Sequence, residues 1–154
     1  MLKTGDQAPD FSGINQNNEP VVLSDFKGKK VILYFYPKDN TPGCTAEACS
    51  LNNAYDFFLE NGIVVIGVST DSVQSHQKFA DKYALNFNLI ADVDKQIVLL
   101  YEVWGEKVNY GKKYMGLIRK TFLISEEGVI SHIIEKVDTK NHAEQLQKLL
   151  FPSK

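Results

Sequence analysis

The stretch VILYFYPKDNTPGCTAEAC, residues 31–49, decides the fold of this 154-residue chain. Its opening residues, 31–36, are apolar or aromatic, which is typical of a strand covered on both faces. A short polar loop follows, and helical periodicity begins at Thr41 and Pro42, which suit the N-cap and the first position of a helix. The stretch therefore predicts a strand, a loop and a helix, and it holds both cysteines of the chain.

Cys44 falls in the first turn of this predicted helix. Unpaired backbone N–H groups and the positive end of the helix dipole stabilise negative charge there, so the position favours a thiolate. A helical projection puts Cys44 on the inward face and Cys49 among polar residues on another side. The inward face comprises Cys44, Ala48, Leu51, Tyr55 and Phe58.

The spacing of the two cysteines limits how they can react with each other. On an ideal helix the Cα atoms of Cys44 and Cys49 lie roughly 8–9 Å apart. That separation exceeds the limit of ~7 Å for a disulfide formed without backbone movement. Either the two thiols never pair, or they pair only when the first turns of the helix unwind.

The flanking segments predict an α/β sandwich with central parallel strands and an antiparallel edge, in a single domain of residues 1–154. A short strand, a turn at 15–18 and a strand at 20–23 predict an N-terminal β-hairpin. Strands are expected at 30–36, 63–68 and 87–90, helices at 41–61, 72–84, 92–101 and 140–151, a loop at 104–116, and a hairpin from 119–124 and 129–135.

Composition narrows the classes of function. The net charge of −2 argues against nucleic acid or an acidic membrane surface as a partner, and no segment is apolar enough for a signal peptide or a membrane span. We therefore expect a cytoplasmic protein, in which two cysteines indicate redox or catalytic work. Their spacing is poor for zinc, and His76, His132 and His142 form no recognisable ligand set, so no metal site is expected from these residues.

The spacing of Pro37, Thr41 and Cys44 resembles the active-site loop of the peroxiredoxins, and Cys49 after Cys44 resembles their Q-type, or bacterioferritin-comigratory, subgroup. Segments 5–11, 67–71, 103–107 and 119–124 are similar to the family as well. The resemblance implies a thioredoxin-like fold with a central mixed sheet flanked by helices. It also implies a thiol peroxidase that reduces hydrogen peroxide and organic hydroperoxides without a metal or cofactor, with electrons from thioredoxin.

The resemblance also implies roles for individual residues. Cys44 is the peroxidatic cysteine, which becomes a sulfenic acid, and Cys49 is the resolving cysteine, which forms the intramolecular disulfide after the start of the helix unwinds. Arg119 supplies positive charge, Thr41 hydrogen-bonds the peroxide, and Pro37 shapes and dries the pocket. The backbone N–H of Cys44 is a further donor to the peroxide.

Each role has an alternative that the residues leave open. Cys44 also fits a buried core cysteine, and Arg119 a surface arginine on an edge strand. Thr41 also fits a plain helix N-cap, and Pro37 a loop proline that ends a strand. Cys49 also fits an inert surface thiol, in which case an external thiol must resolve the sulfenic acid. Glu47 lies on the flank of the inward face and is either a site residue or a solvated helix glutamate.

Two other functions fit the same fold. A protein thiol–disulfide oxidoreductase would favour two residues between its cysteines, whereas this chain has four. A non-enzymatic peroxide sensor would be oxidised once without turnover. The absence of an obvious apolar patch in the sequence favours a monomer.

Overall fold

A mixed β-sheet runs through the middle of the computed structural model, which describes residues 1–152. In chain order the strands are β1 (Ser12–Ile14), β2 (Pro20–Val22), β3 (Lys30–Phe35), β4 (Ile63–Ser69), β5 (Asn88–Ala91), β6 (Trp104–Asn109), β7 (Lys112–Leu117), β8 (Lys120–Ile124) and β9 (Ile130–Ile134). The helices are α1 (Pro42–Asn53), α2 (Tyr55–Glu60), α3 (Val73–Tyr83), α4 (Gln96–Leu100) and α5 (His142–Leu150).

The central sheet has the strand order β5-β4-β3-β8-β9. β3, β4 and β5 are parallel to one another, whereas β8 runs antiparallel to β3 and β9 antiparallel to β8. Parallel strands at the centre with an antiparallel edge were predicted and are confirmed. The predicted N-terminal hairpin is also present, since β1 pairs with β2.

β3 is buried on both faces, as its apolar run predicts. Alternate side chains of a strand point to opposite faces, so Val31 and Leu33 join one core cluster and Ile32 and Tyr34 the other. The first cluster is covered by the N-terminal segment and α4, and the second by α1, α2, α3 and α5. The Tyr34 ring lies over Gly67 on β4, where a Cβ would approach the ring to 2.8 Å.

The predicted loop at 104–116 is wrong, because these residues form the hairpin β6–β7. Most of its side chains are half-buried or exposed, so the sequence lacks the alternation that identifies a half-buried strand. The turn has positive φ at both Tyr110 (52°) and Gly111 (78°), the geometry that a tight hairpin requires. A tyrosine in the left-handed region gives little sign of such a turn.

The predicted helix at 41–61 is divided into α1 and α2 at Ala54. The side chain of Asn52 hydrogen-bonds Ala84 O and Asn86 N, both at 2.9 Å, and holds the end of α1 against the segment after α3. The predicted helix at 92–101 begins only at Gln96.

The sheet register brings separate parts of the chain to one edge. Phe35 at the end of β3 pairs with Lys120 at the start of β8. Arg119, just before Lys120, therefore lies near the loop that leads from β3 into α1. Within residues 1–152, no helix is long and apolar enough to cross a membrane.

Candidate active site

Cys44 lies in the first turn of α1, and only 1% of it is exposed. Arg119 Nη2 donates a hydrogen bond to Cys44 Sγ over 3.2 Å. Gly43 leaves room for this approach, since a Cβ there would lie 3.3 Å from Nη2. The structure thus joins a thiol at the start of a helix to a guanidinium 75 residues further along the chain.

Arg119 is the only arginine of the sequence, and its side chain is 22% exposed. It precedes β8, which lies between β3 and β9, so the alternative of a surface arginine on an edge strand is wrong. Burial disfavours its charge, but Glu47 and Cys44 outweigh that effect and raise the pKa of Arg119. Its positive charge is therefore secure beside the thiol.

Glu47 is fully buried on α1, so the alternative of a solvated helix glutamate is wrong. Arg119 Nη1 donates to Glu47 Oε1 while Nη2 donates to Cys44. Burial raises the pKa of Glu47 to about 7, against the opposing effect of Arg119. A guanidinium therefore joins a buried carboxyl group to a buried thiol.

His142 extends this group of side chains. It is fully buried at the start of α5, and its Nε2 lies 3.4 Å from Glu47 Oε2 and 2.8 Å from Thr121 Oγ1. Burial lowers the pKa of His142 to about 4. The sequence interpretation missed His142, although its position four residues before the buried Leu146 on one helix face indicates an inward side chain.

Thr41 has the extended backbone of an N-cap, with φ −94° and ψ 156°. Its hydroxyl does not cap α1; it donates to the Lys38 carbonyl over 2.9 Å. Pro37 is half-buried and lies two residues after the end of β3 at Phe35. Pro37 and Thr41 thus lie at the two ends of the loop that connects β3 to the helix containing Cys44.

Asp39 anchors this loop to α3. Its carboxylate accepts from Tyr36 Oη at 2.6 Å and from Ser75 Oγ at 2.8 Å, and it lies 2.6 Å from His76 Nδ1. The other ring nitrogen of His76 lies 2.9 Å from the Ile90 carbonyl. The anchor was not anticipated from the sequence, because its members are spread over residues 36–90.

Cys49 is half-buried on α1, and both cysteines are free thiols. Burial raises the pKa of the Cys49 thiol. Cys44 is buried in the intact helix, whereas Cys49 is partly exposed.

The profile of the AhpC/TSA family matches residues 4–133. Peroxiredoxin Bcp of Bacillus subtilis (strain 168) is 46% identical over 149 residues, which cover 96% of this chain and 95% of that protein. Peroxiredoxin Bcp of Escherichia coli (strain K12) is 46% identical over 141 residues, covering 92% of this chain and 90% of that protein.

Solved structures of peroxiredoxin Q have the same fold. A cysteine mutant of PrxQ from Xylella fastidiosa aligns with a TM-score of 0.92 at 32% identity, covering 97% of this chain and 96% of that one. A cysteine mutant of peroxiredoxin Q from Xanthomonas campestris aligns with a TM-score of 0.88 at 35% identity, with the same coverage of 97% and 96%. The predicted thioredoxin-like fold is confirmed.

A thioredoxin-like fold that holds a buried cysteine against an arginine defines a thiol-based oxidoreductase. The chain belongs to the AhpC/TSA family, and within it to the Bcp, or peroxiredoxin Q, peroxiredoxins. It is therefore an oxidoreductase with thiol peroxidase activity, as the resemblance implied.

Proposed function

We propose that the protein reduces hydrogen peroxide and organic hydroperoxides with Cys44 as the peroxidatic and Cys49 as the resolving cysteine, and that thioredoxin recycles it. The observation that carries the proposal is the 3.2 Å hydrogen bond from Arg119 to the buried sulfur of Cys44. A guanidinium at that distance stabilises the thiolate, which is the nucleophilic form of cysteine. The names of the B. subtilis and E. coli relatives support the same chemistry.

In the first step the Cys44 thiolate attacks the terminal oxygen of the peroxide, R–O–OH. An S–O bond forms as the O–O bond breaks, so the sulfur is oxidised to a sulfenic acid. The departing RO⁻ takes up a proton and leaves as an alcohol, or as water when the substrate is hydrogen peroxide. Arg119 faces the sulfur, and its charge stabilises the negative charge that develops on the oxygen.

Thr41 and Pro37 complete the pocket in this proposal. The Thr41 hydroxyl donates its hydrogen to Lys38, so its lone pairs are free to accept a hydrogen bond from the peroxide. The backbone N–H of Cys44, in the first turn of α1, donates to the peroxide. Pro37 has no N–H and limits the access of water to the sulfur.

Cys49 then attacks the sulfenic sulfur of Cys44; an S–S bond forms and water leaves. Because an intact α1 holds the two Cα atoms roughly 8–9 Å apart, the helix must unwind between them first. No side chain of the described residues caps the first turn of α1, which favours opening from that end.

A thioredoxin-type dithiol then reduces the Cys44–Cys49 disulfide by exchange, and both thiols are restored. The unwound helix start makes the disulfide accessible for this step. The two free thiols suit a cytoplasm in which thioredoxin is available. We assign the cycle to a monomer, with residues 1–154 as one domain.

Intact-mass measurement with thiol counting, before and after an equivalent of hydrogen peroxide, tests the proposal. We expect both thiols to disappear with the loss of two hydrogens. A Cys49→Ser variant should instead gain one oxygen, and a Cys44→Ser variant should not react. Thioredoxin with its reductase should then restore both thiols of the oxidised protein.

The outcomes separate the parts of the cycle. A gain of one oxygen with Cys49 still titratable would keep the peroxidase step and remove the resolving role. Peroxide consumption by the Cys44→Ser variant would overturn the assignment of Cys44. Failure of thioredoxin alone would overturn only the choice of reductant.

A further inference from the structure

The buried carboxyl group of Glu47 has one oxygen that the contact with Arg119 does not use. Oε1 accepts from Arg119, whereas Oε2 has no hydrogen-bond partner among residues 1–152. Oε2 faces Nε2 of His142 at 3.4 Å, and both side chains are fully buried. Because a buried carboxylate oxygen without a donor is costly, the contact calls for a proton between these two atoms.

Hydrogen bonds on the other side of the ring decide which nitrogen of His142 carries hydrogen. The Gln145 amide is oriented from two sides, because its Nε2 donates to Lys136 O at 2.8 Å and its Oε1 accepts from Asp138 N at 3.0 Å. His142 Nδ1 lies 2.9 Å from the same Oε1, which can only accept. Nδ1 therefore carries hydrogen, and a neutral ring presents the lone pair of Nε2 to Glu47.

An ionised Glu47 would set its Oε2 against that lone pair, which is repulsive. One proton between the two atoms turns the repulsion into a hydrogen bond. Nε2 of the neutral ring has no hydrogen to give, so the Thr121 hydroxyl, 2.8 Å away, donates to the same lone pair. Burial raises the pKa of Glu47 to about 7 and lowers that of His142 to about 4, so the proton resides on the carboxyl side.

Several charged or titratable groups face this pair. They are Arg119 before β8, Cys44 on α1, Tyr34 on β3, Asp138 before α5, and Lys107 on β6 near Arg119 and Cys44. Burial, with Glu47 and Cys44, raises the pKa of Tyr34, so its phenol is uncharged. The single positive charge of Arg119 faces two groups that can be negative, the Glu47 carboxylate and the Cys44 thiolate. When Glu47 is protonated, Arg119 stabilises the Cys44 thiolate alone.

We propose that His142 is a positioning residue of the peroxidatic site, which holds the proton of Glu47 so that the whole charge of Arg119 serves the Cys44 thiolate. The role of Cys44 in this statement rests on the proposed function. A residue of the last helix thereby sets the reactivity of a cysteine in the first helix.

Variants of His142 in a Cys49→Ser background test this role, because only Cys44 then titrates as a thiol. His142→Asn keeps a donor toward Gln145 and removes the lone pair that faces Glu47. We expect the ionisation of Cys44 to move to higher pH by about one unit, which is roughly tenfold less thiolate below the midpoint. Thiolate absorbance and the pH dependence of alkylation measure it.

Adding Glu47→Gln to the His142→Asn variant tests whether the lost ionisation of Cys44 can be restored. Glutamine is a neutral mimic of the protonated acid, so the double variant should recover the ionisation of Cys44 that the His142→Asn variant lost. His132→Asn is the matched control, since His132 lies on β9 and its ring contacts Ser131 rather than Glu47. It should leave the Cys44 titration unchanged.

An unchanged Cys44 titration in folded His142→Asn protein would overturn the proposal, and so would a shift that Glu47→Gln fails to reverse. The unmodified reduced protein gives a measurement that needs no foldable variant of His142. Its infrared spectrum below pH 7 should contain a protonated-carboxyl band that Glu47→Gln removes, and absence of that band would also overturn the proposal. None of these measurements uses peroxide, so their results do not depend on whether the proposed peroxidase cycle is correct.

Discussion

Arg119 divides its guanidinium between two acceptors, Oε1 of Glu47 and Sγ of Cys44. The donors of a guanidinium lie in fixed directions in one plane, so both contacts can hold at the same time. A lysine at this position would offer a single ammonium group on a flexible stem. The geometry of the fork, and not the charge alone, therefore matters at this residue.

We predict that Arg119→Lys slows the reaction of Cys44 with hydrogen peroxide about 10- to 100-fold, because an ammonium lacks the rigid planar pair of donors that contacts Glu47 and Cys44 in fixed directions. Stopped-flow rates of Cys44 oxidation in a Cys49→Ser background would measure the loss. Lys113→Arg, a charge-conserving change at an exposed residue of β7, is the matched control. A rate for Arg119→Lys within twofold of the control would contradict the role of the fork.

The residues of the site differ in how far the sequence predicts them. The spacing of Pro37, Thr41 and Cys44 is local and carries a family resemblance. Glu47 could be placed only on the flank of a helix face, because its burial depends on Arg119, 72 residues away. His142 gave no chemical signal, since its partner Glu47 is found only when α5 packs on α1.

α1 is held at its second half. Asn52 bonds to the segment after α3, and Ser50 Oγ accepts from the backbone N–H of Ala143 at 3.0 Å, which caps α5 from a neighbouring helix. The first half, between the cysteines, is held by the buried side chains of Cys44, Glu47 and Ala48 and by the contacts of Arg119 with the first two. Opening of the first half for the proposed disulfide must therefore break the contacts of Arg119 with Glu47 and Cys44.

We predict that Ala46→Gly accelerates disulfide formation about fivefold, because glycine costs a helix interior about 1 kcal/mol and Ala46 lies between the two cysteines. Rapid quench with alkylation and mass measurement follows the sulfenic acid as it converts to the disulfide. Less overoxidation to sulfinic acid at high peroxide should accompany the faster step.

Lys78→Gly, at an exposed position of α3, is the control for this change, because it weakens a helix that does not have to open. It should leave the rate of disulfide formation unaltered. Equal rates for Ala46→Gly and the unmodified protein would argue that opening of α1 does not limit resolution.

At the scale of elements, the sequence predicts best what is locally periodic and buried. β3 and β4 are continuous apolar runs, and the end of the second helix at Asn61 and Gly62 is marked by glycine, with φ 71° in the structure. The hairpin β6–β7 is not revealed by the local pattern, because most of its paired residues are exposed. The break at Ala54 is not revealed either, because it depends on the contacts of Asn52 with a distant segment.

For the whole molecule, Glu47 and His142 have opposite effects on stability as the pH changes. The pKa of Glu47 rises from 4.5 to about 7 on folding, so it lowers the free energy of unfolding as the pH increases through that range. The pKa of His142 falls from 6.5 to about 4, so it raises the free energy of unfolding over nearly the same range. The two contributions largely cancel in the unmodified protein.

We predict that Glu47→Gln makes the effect of His142 on the pH dependence of unfolding measurable, because it removes the opposing effect of Glu47. The variant should gain stability as the pH rises from about 4 to about 6.5, relative to the unmodified protein, by on the order of 3 kcal/mol. Denaturant unfolding of the reduced protein at several pH values would measure it. Glu144→Gln, at an exposed position of α5, should follow the unmodified curve, and parallel curves for all three proteins would contradict the prediction.

The packing of α5 against α1 has a consequence for biosynthesis. The chain is made from its N-terminus, so Cys44 leaves the ribosome before Arg119 and well before His142 has been added. At ~5–20 residues per second, the delay between the synthesis of Cys44 and that of His142 lasts roughly 5 to 20 seconds. During that interval a nascent polypeptide carries the thiol without the side chains that would activate it. In the proposed cycle, Cys44 therefore gains the side chains that activate it only after translation has supplied the final helix.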